Sequence, residues 1–284
     1  MTLADIRSPD APSPGFAVQA VALDLDGTCL DDRQRLHPRV RRCVRGVSMR
    51  LPVVVATGRM YRSAWPWTTE LGTSAPMVCY QGAWVREHTA DGEVGAALYE
   101  RELAPQPSLR ALQLSRENGW HINAYQDDEL LCDQDRPEAR LYSTIANVPI
   151  RFVDDLEPIL RRGSTKLACV ITDVDEVRRS IETLQRELNG TARVTRSLPQ
   201  FVEIVDPLVS KATAVDVALK QLGTSLANAV AIGDAPNDIE MLSAAGFAVA
   251  VREAPEDVLA HADATCEAPE RAGVADALQA LSLC

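Results

Sequence analysis

The sequence predicts an α/β protein: a three-layer core, with a parallel sheet between helices, into which a separate α+β domain is inserted. Three observations carry this. Short β-branched runs alternate with helical segments over residues 17–83, the pattern of a parallel sheet with right-handed crossovers. The alternation breaks into hairpins and mixed elements over residues 84–206, then resumes over 207–284. Clusters of aspartate, glycine and other polar residues stand where three core strands stop, and ligands of open α/β sheets bind beyond such strand ends.

Residues 1–16 carry Pro9, Pro12, Pro14 and Gly15 and read as a flexible tail, without the cationic start and apolar stretch of a signal peptide. Val18 to Leu23 is apolar apart from one Gln and reads as a buried strand, followed by a basic helix from Arg39 to Val47. Val53 to Ala56 is the second strand, Tyr61 to Leu71 a helix stopped by Gly72, and Pro76 to Tyr80 the third strand. In the insert, Trp84 to Thr89 and Ala97 to Leu103 flank an Asp91-Gly92 turn. A helix from Pro107 to Asn118 precedes strands at Ile122 to Tyr125 and Glu129 to Cys132, joined by Asp127-Asp128. Helices at Pro137 to Ala146 and Val174 to Leu188 alternate with strands near Arg151 to Val153 and at Leu167 to Thr172. Ala192 to Arg196 and Phe201 to Val205 complete the insert. The core pattern returns with a helix from Lys211 to Leu222, whose Val215, Ala218, Leu219 and Leu222 share one face. A strand at Ala229 to Ile232, a helix carrying Ile239, Met241 and Leu242, and a strand at Phe247 to Val251 follow. Helices at Pro255 to Ala260 and Val274 to Leu281 end the chain.

With 46% hydrophobic residues in 284, the chain is long enough for two packed domains. A net charge of −11 provides no basic footprint, so nucleic acid and anionic membrane are not expected partners. No stretch has the length of a membrane span. The seven cysteines are scattered without a Cys-x-x-Cys pair, which reads as buried free thiols and a cytoplasmic location. His37, His88, His121 and His261 lack metal-ligand spacing, and Trp65-Pro66-Trp67 reads as packing. Oligomeric state has no signature in the sequence.

The first cluster is Asp24-Leu25-Asp26-Gly27-Thr28, two carboxylates one residue apart at a strand end. Such a pair suits a metal ion and a nucleophile; alone, it also fits an acidic turn. A calcium loop is a poor fit, because Gly27 is fourth rather than sixth and follows a strand. Thr57-Gly58-Arg59 closes the second strand, Lys211 opens a helix, and Gly233-Asp234-Ala235-Pro236-Asn237-Asp238 closes a later strand. At one sheet edge these supply four carboxylates (Asp24, Asp26, Asp234, Asp238), a hydroxyl (Thr57), an ammonium (Lys211) and an amide (Asn237).

Taken in order, these four segments resemble the four motifs of the haloacid dehalogenase superfamily. The insert resembles the C2-type cap of its Cof-like (IIB) branch, as do Phe201-Val202-Glu203-Ile204-Val205 and Val209-Ser210-Lys211. The resemblance implies a Rossmann-like core and a magnesium-dependent phosphatase of small phosphorylated metabolites, sugar phosphates or phosphorylated cofactors, with specificity set by the cap. It implies that Asp24 is the nucleophile, forming an aspartyl-phosphate, and that Asp26 is the general acid and then the base. Asp24, the backbone carbonyl of Asp26 and Asp234 would hold Mg2+, with Asp238 in support. Backbone N–H groups near Leu25 and Gly58, with Thr57, Lys211 and Asn237, would hold the phosphoryl oxygens.

Gln81-Gly82, Ala212 and Val251-Arg252-Glu253 depart from the branch's usual Asn-Gly, Gly and Met-Gly-Asn, all expected outside the direct chemistry. Two other readings share these features. A phosphohexomutase of the phosphomannomutase type would need a sugar bisphosphate. A non-catalytic metabolite-binding protein would show no magnesium-dependent turnover. Dehalogenation is disfavoured because that chemistry does not use the second aspartate, Asp26.

Overall fold

The computed structural model describes residues 17–284, so the tail expected over residues 1–16 lies outside the described residues. The chain divides into two units. The first comprises the described residues up to Gly58, Ala64–Tyr99 and Ser210–Cys284; the second comprises Arg59–Ser63 and Glu100–Val209.

The first unit starts with β1 (Ala20–Leu23), buried along its whole length. Helix α1 (Pro38–Ser48) begins where proline needs no N–H partner, and the His37 ring accepts from the Arg39 N–H. Strand β2 (Val53–Val55), helix α2 (Tyr61–Leu71) and strand β3 (Met77–Cys79) follow. A hairpin, β4 (Trp84–Arg86) and β5 (Ala97–Glu100), pairs antiparallel onto β3. The alternating pattern assigned this hairpin to the insert. Its pairing with β3 puts it with the first unit instead.

The second unit contains α3 (Pro105–Asn118), which ends where Gly119 turns left-handed at φ 72°. Strands β6 (His121–Gln126) and β7 (Glu129–Cys132) precede α4 (Pro137–Ala146), β8 (Ile150–Phe152) and the short α5 (Glu157–Leu160). Strand β9 (Lys166–Val170) leads to α6 (Val174–Glu187), capped by the Asp173 carboxylate on the Glu176 N–H, then to β10 (Arg193–Arg196) and β11 (Phe201–Val205). The six strands form one sheet in the order β10-β11-β9-β6-β7-β8. Period-two alternation splits its side chains. Ile122, Ala124, Leu167, Cys169, Val202 and Ile204 enter one apolar cluster, with Leu112 of α3 and Leu184 of α6. Tyr125 stands opposite Lys166 on the other face, where Lys166 Nζ meets Glu203 Oε1 at 2.5 Å and lies 4.7 Å from the Tyr125 ring.

The first unit resumes with α7 (Lys211–Gln221), β12 (Ala229–Gly233), α8 (Ile239–Ala244), β13 (Phe247–Val251), α9 (Glu256–Leu259), β14 (Ala264–Cys266) and α10 (Gly273–Ala280). Its parallel sheet has the order β14-β13-β12-β1-β2, and β3 joins through the parallel bridge between Ala56 and Val78. Small residues of the central strands, Ala20, Ala22, Ala229 and Ala231, let α7 and α8 approach closely on one face. Helices α1 and α10 pack on each other in the opposite layer. Strand β14 and helix α5 escaped the sequence pattern because each is only three or four residues long. Among the described residues, no helix is long and apolar enough to cross a membrane.

The cysteine reading needs correction. Cys43 of α1 and Cys284 form a disulfide across 241 residues of sequence, while Cys29, Cys79, Cys132, Cys169 and Cys266 are free and buried. The case from thiols for a reducing compartment therefore loses two of its seven residues.

Candidate active site

The parallel register sets Leu23 beside Ile232 and Val55, so the residues following β1, β2 and β12 emerge at one edge. Asp24 leaves β1 with its N–H on the Ile232 carbonyl, and its side chain is almost fully buried. The chain then folds tightly. The N–H groups of Thr28, Cys29 and Leu30 all converge on the Leu25 carbonyl. Gly27 takes φ 85° and lies against the Asp234 carboxylate, where a Cβ would collide with it. Thr28 Oγ1 donates to Asp234 Oδ1 at 2.7 Å, fixing the second carboxylate beside the first.

Lys211 is the first residue of α7, whose N-terminus is capped by Ser210 Oγ accepting from the Thr213 N–H. The lysine is buried, and its Nζ donates to Asp24 Oδ1 at 2.5 Å and Asp238 Oδ1 at 2.7 Å. Asp238 Oδ2 accepts the N–H groups of Asp234 and Ala235, both at 3.1 Å. Both Asp238 oxygens are thus engaged by protein donors, which suits support better than direct metal ligation. Asp24, Asp234 and Asp238 each bring one oxygen within 4.8 Å of the others.

The electrostatics follow from burial. Desolvation raises the Asp24 carboxyl well above its usual range; Lys211 opposes this, while Asp238, Asp234 and Asp26 add to it. Burial, then Asp238, push Asp234 up to about 7. Burial alone would lower the Lys211 ammonium, but Asp238 and Asp24 hold it above the usual lysine range. Three carboxyl groups share one ammonium, and the potential ligand atoms are all oxygen. The set fits a hard divalent cation such as Mg2+.

The remaining expected residues surround this cluster. Thr57 and Asn237 are buried, and Asn237 Nδ2 donates to Gln81 Oε1 at 2.7 Å, while Asn237 Oδ1 is buried without a partner among the described residues. Leu25 is fully buried. Asp26 is only half-buried and lies outside the carboxylate triad, its Oδ1 accepting from Gln34 Nε2 at 3.3 Å. Gln34, Thr28 and Gln81 touch the expected residues, yet the sequence reading gave them no role. The signal available for Thr28 and Gln81 was position, each in a polar turn immediately after a core strand; Gln34 had none. In the second unit, Asp128 does not face solvent. Its carboxylate accepts the N–H groups of Tyr61 and Arg62, residues of the same unit, at 2.9 and 3.0 Å. Tyr142 packs between Tyr125 and Phe201, and exposed Arg140 pairs with Asp135.

Known proteins resemble this chain in sequence and in fold. The haloacid dehalogenase-like hydrolase family matches residues 21–278. A phosphoglycolate phosphatase of Archaeoglobus fulgidus is 29% identical over 94% of this chain and 99% of its own length. An HMP-PP phosphatase of Cronobacter sakazakii is 27% identical over 84% of this chain and 86% of its own. A solved HAD subclass IIB sugar phosphatase superposes with a TM-score of 0.81 at 20% identity, covering 94% of this chain and all of its own, a likeness of fold. The chain therefore belongs to the haloacid dehalogenase-like hydrolases.

Proposed function

We propose that the protein is a magnesium-dependent phosphatase that hydrolyses small phosphate monoesters, sugar phosphates or phosphorylated cofactors, through an aspartyl-phosphate on Asp24. The observation that supports it most is the Lys211 ammonium bound to Asp24 in a cluster that still carries surplus carboxylate. The printed names of both relatives, phosphoglycolate phosphatase and HMP-PP phosphatase, support release of phosphate from a small molecule.

Lys211 engages Asp24 Oδ1 and leaves Oδ2 to attack phosphorus. As the Asp24–phosphorus bond forms, the bond to the ester oxygen breaks, and Asp26 gives that oxygen its proton. Asp26 then takes a proton from water, whose oxygen attacks the same phosphorus and frees Asp24 and inorganic phosphate. Thr57, Lys211, Asn237 and the N–H groups near Leu25 and Gly58 hold the equatorial oxygens, fixed donors for charge that shifts in the transition state. Asp24, the Asp26 carbonyl and Asp234 would hold Mg2+, with Asp238 in support; bound there, the cation screens the phosphate from the attacking carboxylate. Half-buried Asp26 can exchange its proton with water, as the second step requires.

A phosphate-release screen over phosphorylated sugars, nucleotides and cofactor phosphates tests the reading. Release is expected in Mg2+, and neither in EDTA nor from Asp24→Asn. Full turnover in EDTA overturns the metal, and full turnover by Asp24→Asn overturns the nucleophile.

A further inference from the structure

The turn after β3, Tyr80-Gln81-Gly82, touches three of the segments expected to hold the phosphoryl group. The Gln81 N–H donates to the Thr57 carbonyl at 3.1 Å, so the turn is tied to the end of β2. The Gln81 side chain lies against Gly58, where a Cβ would collide with its Nε2. Its Oε1 accepts from Asn237 Nδ2 at 2.7 Å. Gly82, at φ 102°, passes so close to the Ser210 carbonyl and the Lys211 N–H that any side chain would strike the start of α7.

The backbone at this turn is unusual. Gln81 sits at φ 64° and ψ 12°, a left-handed conformation that non-glycine residues rarely adopt, and Tyr80 before it has φ 53°. Such conformations persist only where surrounding contacts impose them, and they cluster at functional sites. Here the strained backbone delivers a long amide side chain, 3% exposed, between Gly58 and Asn237. Asn237 itself is 7% exposed, and its Oδ1 has no partner among the described residues. The open atom is an acceptor, so Oδ1 is left for a donor such as a bound water, while Nδ2 keeps a second N–H to give.

We propose that Gln81 is a positioning residue for phosphoryl binding: its amide oxygen holds the Asn237 amide in one orientation, so that the second Nδ2 N–H of Asn237 meets a phosphoryl oxygen without having to reorganise. The inference rests on the phosphatase reading above and deepens it by extending the phosphate-holding set from three strand ends to four. It also accounts for Gly58. Gln81, not the substrate alone, occupies the space a side chain would need there. Without Gln81 the Asn237 amide rotates, and misplacement of a catalytic contact by about 1 Å costs on the order of 10²-fold in rate.

The test combines NMR with kinetics on the full chain. The Asn237 side-chain NH2 signal, assigned by its loss in Asn237→Asp, should exchange slowly with solvent in the unmodified protein. Gln81→Met matches the length of glutamine but lacks the acceptor. In that variant the Asn237 NH2 should exchange faster, and half-saturation by inorganic phosphate should need about tenfold more, the scale of one lost hydrogen bond. With 4-nitrophenyl phosphate, Gln81→Met and Asn237→Ala should each lower kcat/KM by roughly 10- to 100-fold. The double variant should be no worse than Asn237→Ala alone, because the two residues act as one unit. Additive losses, or an unchanged Asn237 NH2 in Gln81→Met, overturn the proposal. Gln81→Asn suits the left-handed backbone but is one methylene too short to reach; it should behave as Gln81→Met and replaces that variant if Gln81→Met does not fold. Wild-type behaviour of Gln81→Asn would mean that only the backbone matters. A protein that releases phosphate from no ester in Mg2+ overturns the phosphatase reading. The exchange of the Asn237 NH2 still decides separately whether Gln81 holds Asn237.

Discussion

Each unit buries a lysine against carboxylate, and the two burials differ in charge balance. In the second unit, Lys166 meets Glu203, both about 1% exposed, with the Tyr125 and Tyr142 rings closing over the ammonium. One positive and one negative charge cancel, and the aromatic faces supply what the missing water would have given. In the first unit, Lys211 meets Asp24 and Asp238 with Asp234 close by, so one charge faces three. Burying surplus like charge costs stability and raises the carboxyls, as Asp24 and Asp234 show. A balanced pair is complete as it stands. An unbalanced one has carboxylate to spare for a further cation, and perturbed carboxyls of this kind cluster at functional sites.

The largest test of this contrast is Asp24→Asn. It should lower turnover by about 10³–10⁶-fold, as loss of a nucleophile does, yet leave resistance to urea unchanged or improved because a repelled buried charge is gone. A stability loss comparable to that of the next variant would erase the distinction. Lys166→Met should destabilise by about 3–5 kcal/mol by leaving the buried Glu203 without its lysine, and Lys166→Met with Glu203→Leu should recover most of that. Urea unfolding of the single and double variants measures both. If the single variant is as stable as the double, the pair is not a closed structural element.

A smaller effect separates the units by covalent linkage. The Cys43–Cys284 disulfide joins two residues of the first unit. Reductant should lower stability by about 2–4 kcal/mol, through the first unit alone, and Cys284→Ser should show that loss while ignoring reductant. Hydrogen exchange resolved by residue would locate the change. Equal loss of protection along β6 and β9 would mean that the two units unfold together.

Much of the core was legible because its signals are local. A β-branched run closed by Asp24-Leu25-Asp26-Gly27-Thr28 announces both a strand and what stands at its end, and the same held for Thr57-Gly58 and Gly233-Asp234. Signals that depend on distant pairing were not legible. Nothing near Cys43 or Cys284 says that they meet, since their closeness is set by α1 packing on α10. The hairpin Trp84–Glu100 has the composition of the insert and joins the first unit only because β4 pairs with β3. Gln81 looked peripheral because its importance lies in a left-handed backbone, and single-sequence patterns show that only where glycine or asparagine marks it. Lys166 did have a signal, its rarity. Lysine occurs only at positions 166, 211 and 220 in a chain otherwise supplied with arginine, and two of the three are the buried ones.

That scarcity makes amine chemistry on this protein selective. Lys166 and Lys211 are shielded, so Lys220, 67% exposed and paired with Asp216, is the one lysine ready to meet an acylating reagent. It lies nine residues along α7 from Lys211, about 14 Å at the helical rise. A fluorophore attached there rides the helix whose first residue grips Asp24, and can report what happens at that residue without occupying its place.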